Sequence, residues 1–141
     1  MATKPLGDLG EKIAREYLEN KGYKILDKNF RYSKLGELDI IAQKPARQAS
    51  QLAGVAGGNS TIVFLEVKTR NKKHISDFMP EDNITFQKQK KLIKLAQIWL
   101  AKHPAVAGQD RDWQIDILAI EIYRDNSYDI RHLENAVGDI Q

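Results

Sequence analysis

The apolar positions of this chain fall into two repeats, one with helical spacing and one alternating, and their order predicts the architecture. Over 5–21, Leu6, Gly10, Ile13, Ala14 and Tyr17 fall on one side of a helical wheel, with Pro5 suited to the first turn and Gly22 to the residue after the last. A second stripe, Leu92, Leu95, Ala96 and Trp99, predicts a helix over 85–102 that keeps Lys88, Lys91 and Lys94 off its apolar face and stops before Pro104. Strand-like runs occupy the rest. Short extended segments are expected at 23–26 and 29–32, strands over 37–43, 61–69 and 113–123, and a last short strand or turn at 128–133.

Helix, strand, strand, strand, helix, strand and a small C-terminal appendix fit a mixed sheet flanked by helices, so the expected class is α/β (mixed). At 141 residues the chain suits one domain spanning 1–141. The segment 45–60 is small and polar with three glycines, and reads as a long, flexible hairpin insertion because it has neither period nor apolar mass.

Composition narrows the function classes. Hydrophobic residues at 42% and charged residues at 29% describe an ordinary globular chain. The absence of cysteine excludes thiol nucleophiles, disulfides and Cys-based zinc sites. With no apolar signal segment at the N-terminus and no run approaching a membrane span, the expected location is cytoplasmic. The net charge of +3 is modest, but its distribution is uneven. Between 68 and 94 the cations Lys68, Arg70, Lys72, Lys73, Lys88, Lys90, Lys91 and Lys94 face only Asp77, Glu81 and Asp82, a candidate footprint for nucleic acid. Arg70, Lys72, Lys73 and Lys88 are the expected contacts, with Tyr32 and Phe78 as base-stacking candidates. Trp99 and Trp113, inside periodic apolar segments, belong to the core.

The candidate chemistry lies where charge interrupts strands. Glu37 and Asp39 open the run 37–43, and Glu66 and Lys68 close an otherwise Ile, Val, Phe and Leu run. Residues i and i+2 of a strand share a face, so Glu66 and Lys68 are neighbours, and desolvating them must be offset by pairing or by an ion. Phosphodiester hydrolysis needs charge neutralisation at the phosphate and an activated water, which Mg2+ or Mn2+ provides through hard oxygen ligands. Asp39, Glu66 and the main-chain carbonyl of Val67 are the candidate ligands, and Lys68 a point charge for the phosphate or its attacking water. Glu37 either shares the face of Asp39 or is an exposed turn residue. The bland alternative for Asp39, Glu66 and Lys68 is a cross-strand ion network. Glu11 has its own alternative, an i,i+4 pair with Arg15, and Asp116 either orients a basic partner or faces solvent.

The stretches Leu9-Gly10-Glu11, Gly22-Tyr23, Asn29-Phe30-Arg31, Gly36-Glu37-Leu38-Asp39-Ile40-Ile41-Ala42 and Val63-Phe64-Leu65-Glu66-Val67-Lys68-Thr69-Arg70, continued by Lys88 and Ile115-Asp116-Ile117, resemble the YraN-type uncharacterised bacterial family over nearly the whole chain. That family is similar to archaeal Holliday junction resolvases and to the restriction-endonuclease-like superfamily with its PD-(D/E)xK site. The resemblance implies a restriction-endonuclease-like or tRNA-endonuclease-like core, a metal site at Asp39 and Glu66, Lys68 as the catalytic lysine and Glu11 as an additional acidic member. No proline precedes Asp39, and the 45–60 insertion is longer than the family pattern. The expected function is a Mg2+-dependent endonuclease acting on nucleic acid, DNA before RNA and branched DNA among its forms, with a homodimer as a candidate assembly. A nucleic-acid-binding protein of the same fold without catalysis is the alternative, and a protein-interaction module a third.

Overall fold

In the computed structural model, residues 4–45, 60–71, 84–108 and 111–137 are described. The elements follow in the order α1 (Lys4–Asn20), β1 (Lys24–Arg31), β2 (Glu37–Gln43), β3 (Ile62–Asn71), α2 (Phe86–Lys102), α3 (Pro104–Ala107), β4 (Trp113–Ile122) and β5 (Tyr128–Leu133). The strands form one five-stranded sheet in sequence order. Neighbours pair antiparallel except β3 and β4, which run parallel. That parallel pair is what the crossover through α2 makes possible, because parallel strands cannot be joined by a tight turn.

Alternation along the strands divides the core in two. Ile40, Ala42, Val63, Leu65, Leu118, Ile120 and Ile122 pack with Ile13, Ala14 and Leu18 of α1. Ile41, Ile62, Phe64 and Ile115 pack with Leu92, Leu95, Ala96 and Trp99 of α2. The sheet is therefore covered by a helix on each face, which explains why β3 and β4 read as near-continuous apolar runs. Burial along β3 holds from Ile62 to Glu66 and becomes partial over Val67–Arg70, so Lys68 and Arg70 lie where the strand begins to open to solvent.

In β2 the two faces are not kept in strict alternation. Leu38 packs on the α2 side with Ile41, although Ile40 and Ala42 face α1. Asp39 lies between Leu38 and Ile40, within the continuous strand.

Several expectations are corrected. The segments at 23–26 and 29–32 are one strand, β1, whose pairing shifts between Ile25 and Asp27 and whose Asn29 has φ 54°. These irregularities erase the alternation that marks a continuous strand, and asparagine adopts the left-handed conformation at little strain. Pro104 ends α2 but also opens α3 as its first residue, the helical position where a missing N–H costs nothing. The segment 128–133 is a strand, pairing with β4 over its whole length. Trp99 is buried as expected, its Nε1–H donating to Asp27 at 2.9 Å, while Trp113 is half-buried and meets Phe64 edge-on. Of the expected 45–60 insertion, residues 46–59 lie outside the described residues. Among the described residues no helix is long and apolar enough to cross a membrane.

Candidate active site

The site begins where β2 and β3 stop pairing. Their register runs from Gln43↔Ile62 to Ile40↔Leu65. Just beyond, the Val67 N–H donates to Asp39 Oδ2 at 2.7 Å. A side-chain carboxylate thus accepts from the main chain of the neighbouring strand, and the Asp39 carboxyl is fixed at the point where the strands part. Burial is the main influence on it, and with the neighbouring charges of Glu66, Glu11 and Glu37 it outweighs the opposing Val67 hydrogen bond and pushes the carboxyl up to about 7 from its ordinary 3.8.

Glu11 reaches the same place from α1. A Cβ added at Gly10 would lie 1.9 Å from Thr69 Oγ1, so only glycine lets the helix approach β3 this closely. The adjacent Glu11 is thereby carried over the strand ends, and ligand oxygens of Glu11, Glu37 and Asp39 all lie within 4.8 Å of one another. Glu37 is further held by Arg31 at 2.8 Å. Burial, then the charges of Glu37 and Asp8, raise the Glu11 carboxyl above its ordinary range, while Arg15 and Arg31 oppose them. Among the described residues Glu11 makes no ion pair with Arg15, and its carboxylate lies instead with those of Glu37 and Asp39.

Glu66 is only 6% exposed. Its Oε1 lies 3.4 Å from Lys68 Nζ and 3.2 Å from Lys88 Nζ. Its Oε2 is buried with no hydrogen-bond partner among the described residues. Lys88 comes from the first turn of α2, where Thr85 caps the helix by accepting from the Lys88 N–H at 3.1 Å. The structure thus brings Lys88 onto Glu66, a role its place off the apolar stripe does not reveal. Arg70 lies 3.6 Å from buried Glu121, which also holds Arg131 at 2.8 Å. Lys72, Lys73 and Phe78 lie outside the described residues. Tyr32 is exposed, with Lys102 Nζ 5.2 Å from its ring centroid.

Of the two readings of Asp116, the one in which it orients a basic partner holds, the partner being His132. Asp116 does not face solvent: it is fully buried, accepts from Gln114 Nε2 and the Asn135 N–H at 2.8 Å each, and lies 2.7 Å from His132 Nε2. His132 Nδ1 is in turn 3.0 Å from the Tyr17 hydroxyl, so the network ties β4 and β5 to α1. Asp116, His132 and Glu134 bring ligand atoms within 4.8 Å, but Asp116 is saturated and Glu134 is paired with Lys44 at 3.0 Å, which makes this cluster a structural knot. A lone aspartate in an apolar strand and a lone histidine in the next were the only signals of it in the sequence.

Fold and site together define a mixed α/β protein with a carboxylate and lysine cluster at the ends of two adjacent strands. The profile of the Uncharacterised protein family UPF0102 matches residues 10–120, and the chain belongs to that family, as its motif stretches led one to expect. It is 36% identical over 136 residues to the UPF0102 protein of Alkaliphilus oremlandii, covering 95% of this chain and 98% of that one. It is 42% identical over 120 residues to that of Caldanaerobacter subterraneus subsp. tengcongensis, covering 85% and 80%. A solved structure of Pyrococcus furiosus SfsA in complex with Ca2+ is similar at a TM-score of 0.36 and 16% identity, covering 93% of this chain and 63% of that one, too distant a likeness to inform fold or function.

Proposed function

We propose that this protein is a metal-dependent endonuclease with a restriction-endonuclease-like core, hydrolysing phosphodiester bonds in nucleic acid, DNA before RNA. The observation that carries the reading is Glu66: one oxygen between two lysines, the other buried without a partner among the described residues, beside a carboxyl pinned at the parting of two strands. A purely structural ion network has no need to gather Glu11, Glu37 and Asp39 within 4.8 Å of one another.

The donor set is all oxygen, which suits Mg2+ or Mn2+. Asp39, Glu66 and the Val67 carbonyl would hold the ion, with Glu11 and Glu37 as further oxygen donors. When bound, such an ion neutralises phosphate charge and lowers the pKa of an attacking water. Lys68 orients that water and stabilises charge on the phosphate, and Arg70, Lys72, Lys73 and Lys88 contact the nucleic-acid backbone. A homodimer suits a branched substrate, because a four-way junction offers two symmetry-related strands. Binding without cleavage is a second reading, favoured by the same two lysines, which neutralise Glu66 without any added ion.

A cleavage panel tests this: labelled linear, flapped and four-way DNA and single-stranded RNA, with Mg2+ or Mn2+, for the parent protein and Glu66→Ala. Cuts that disappear in Glu66→Ala support the nuclease. Retention of nucleic acid with no cuts favours the binding protein, and neither activity removes both.

A further inference from the structure

Glu66 has more positive charge around one oxygen than its single negative charge requires, and that surplus has a use. Lys68 is placed by strand periodicity, two residues along on the same face. Lys88 is placed by a different element, the first turn of α2, 22 residues farther along the chain from Glu66. Its backbone is fixed, since its N–H is held by the Thr85 hydroxyl. Its side chain is not: the Lys88 side chain is 38% exposed and that of Lys68 30%, against 7% for Glu66. A helix N-terminus is moreover a poor place for a cation, because the backbone dipoles there present their positive end, and the first turn of α2 contains no acidic residue. What offsets that repulsion is Glu66.

We propose that Lys88 is an exchangeable counter-ion of Glu66, pairing with it in the ion-free protein and passing to a nucleic-acid phosphate when a divalent cation takes the carboxylate, so that cation and nucleic acid bind with positive coupling through Lys88. The inference rests on the metal-dependent reading above and adds a role for this chain's own lysine. Once Glu66 is committed to a cation through Oε2, which has no partner among the described residues, the ammonium of Lys88 loses its only negative neighbour on β3, beside the positive end of α2. A phosphate oxygen then offers both the charge they lack. The coupling is reciprocal by necessity: whatever factor the cation adds to nucleic-acid affinity, nucleic acid adds to cation affinity.

Two simpler roles for Lys88 make different forecasts. A plain tether between α2 and β3 would affect stability and leave coupling alone. A plain phosphate contact would weaken nucleic-acid binding equally with and without the cation.

The test uses the whole protein, labelled four-way DNA and Ca2+ at matched ionic strength, with DNA affinity read by anisotropy and Ca2+ affinity by calorimetry. In the parent, Ca2+ should tighten DNA binding by about tenfold or more, within the usual range of two-site coupling. In Lys88→Met that gain should fall to about twofold or less, while Ca2+ affinity without DNA is kept or rises because a competing cation has gone. If Lys88→Met does not fold, Lys88→Gln, which can still hydrogen-bond Glu66, carries the same comparison. An undiminished Ca2+-dependent gain in the variant, or an equal loss of DNA affinity with and without Ca2+, overturns the exchange and leaves the nuclease reading standing. A parent that binds neither Ca2+ nor any nucleic acid overturns both.

Discussion

Asp39 on β2 is fastened to the main chain of β3 at Val67, its Oδ2 2.7 Å from the Val67 nitrogen. The bond holds a carboxyl where burial and three other carboxylates disfavour its charge, and its protonation becomes the pH-sensitive feature of the site. Because the folded value, about 7, stands above the ordinary 3.8, the native state holds more protons than the unfolded chain between these values. Stability of the cation-free protein should therefore fall as pH rises through that window. Urea titrations in chelator at pH 5 and pH 8 should show this loss in the parent and a smaller one in Asp39→Asn, which keeps an acceptor for the Val67 N–H. Divalent-cation affinity should move the opposite way and rise through the same window, since the ion displaces a proton. Identical pH slopes for parent and Asp39→Asn would show that Asp39 is not the titrating group.

Gly10 sets the distance between α1 and β3. An alanine Cβ there would meet Thr69 Oγ1 at 1.9 Å and Thr69 Cβ at 2.8 Å. Gly10→Ala should destabilise by about 1–3 kcal/mol through overpacking, and displace Glu11 from Glu37 and Asp39. Adding Thr69→Ala, which removes the nearest atom, should recover part of the stability in denaturant titrations. A Gly10→Ala protein as stable as the parent would mean the helix shifts freely.

The Asp116 network should matter for stability and not for chemistry. Asp116→Ala leaves His132, the Asn135 N–H and Gln114 without their shared acceptor, a loss of about 2–3 kcal/mol for a buried charged hydrogen-bond partner. Thermal melts should report it, while cleavage per folded molecule at moderate temperature stays near the parent value. A turnover loss without a stability loss would place this cluster in the active site.

Nucleic-acid affinity should fall steeply with salt, since several cations follow one another along the chain from Lys68 to Lys73. Replacing Lys72 and Lys73 by Glu should weaken binding and shallow the salt slope while leaving cation affinity measurable by calorimetry. A salt slope unchanged by that double replacement would remove both residues from the interface.

Much of the scaffold was legible because it depends on local pattern. The apolar run expected over 37–43 coincides with β2, and the Leu92 to Trp99 stripe with the apolar face of α2. Period-2 spacing was also enough to make Glu66 and Lys68 neighbours. What escaped depends on long-range packing. The partnership of Lys88 with Glu66 requires the position of α2 under the sheet, and on its own helix Lys88 is simply a polar-face residue. Glu37 could be assigned to the cluster only once α1 was known to touch β3 at Gly10. β1 was misread in two pieces because a register shift and a positive φ at Asn29 hide its continuity. Asp116 was undecidable for the same reason: besides Gln114 of its own strand, its partners are His132 on β5 and the Asn135 N–H beyond it.

On this reading catalysis depends on Lys68: its Nζ lies 3.4 Å from Glu66 Oε1, and the side chain is only partly buried and outside both apolar clusters. The most direct measurement is single-turnover cleavage of labelled DNA with Mg2+ by the parent, Lys68→Ala and Glu66→Ala, each shown to be folded. Lys68→Ala should bind DNA nearly as well as the parent and cleave it about 10²–10³ slower, the scale of losing one preorganised charge-stabilising group, and Glu66→Ala should not cleave at all. Cleavage by both variants at the parent rate would contradict the account and locate any nuclease activity elsewhere.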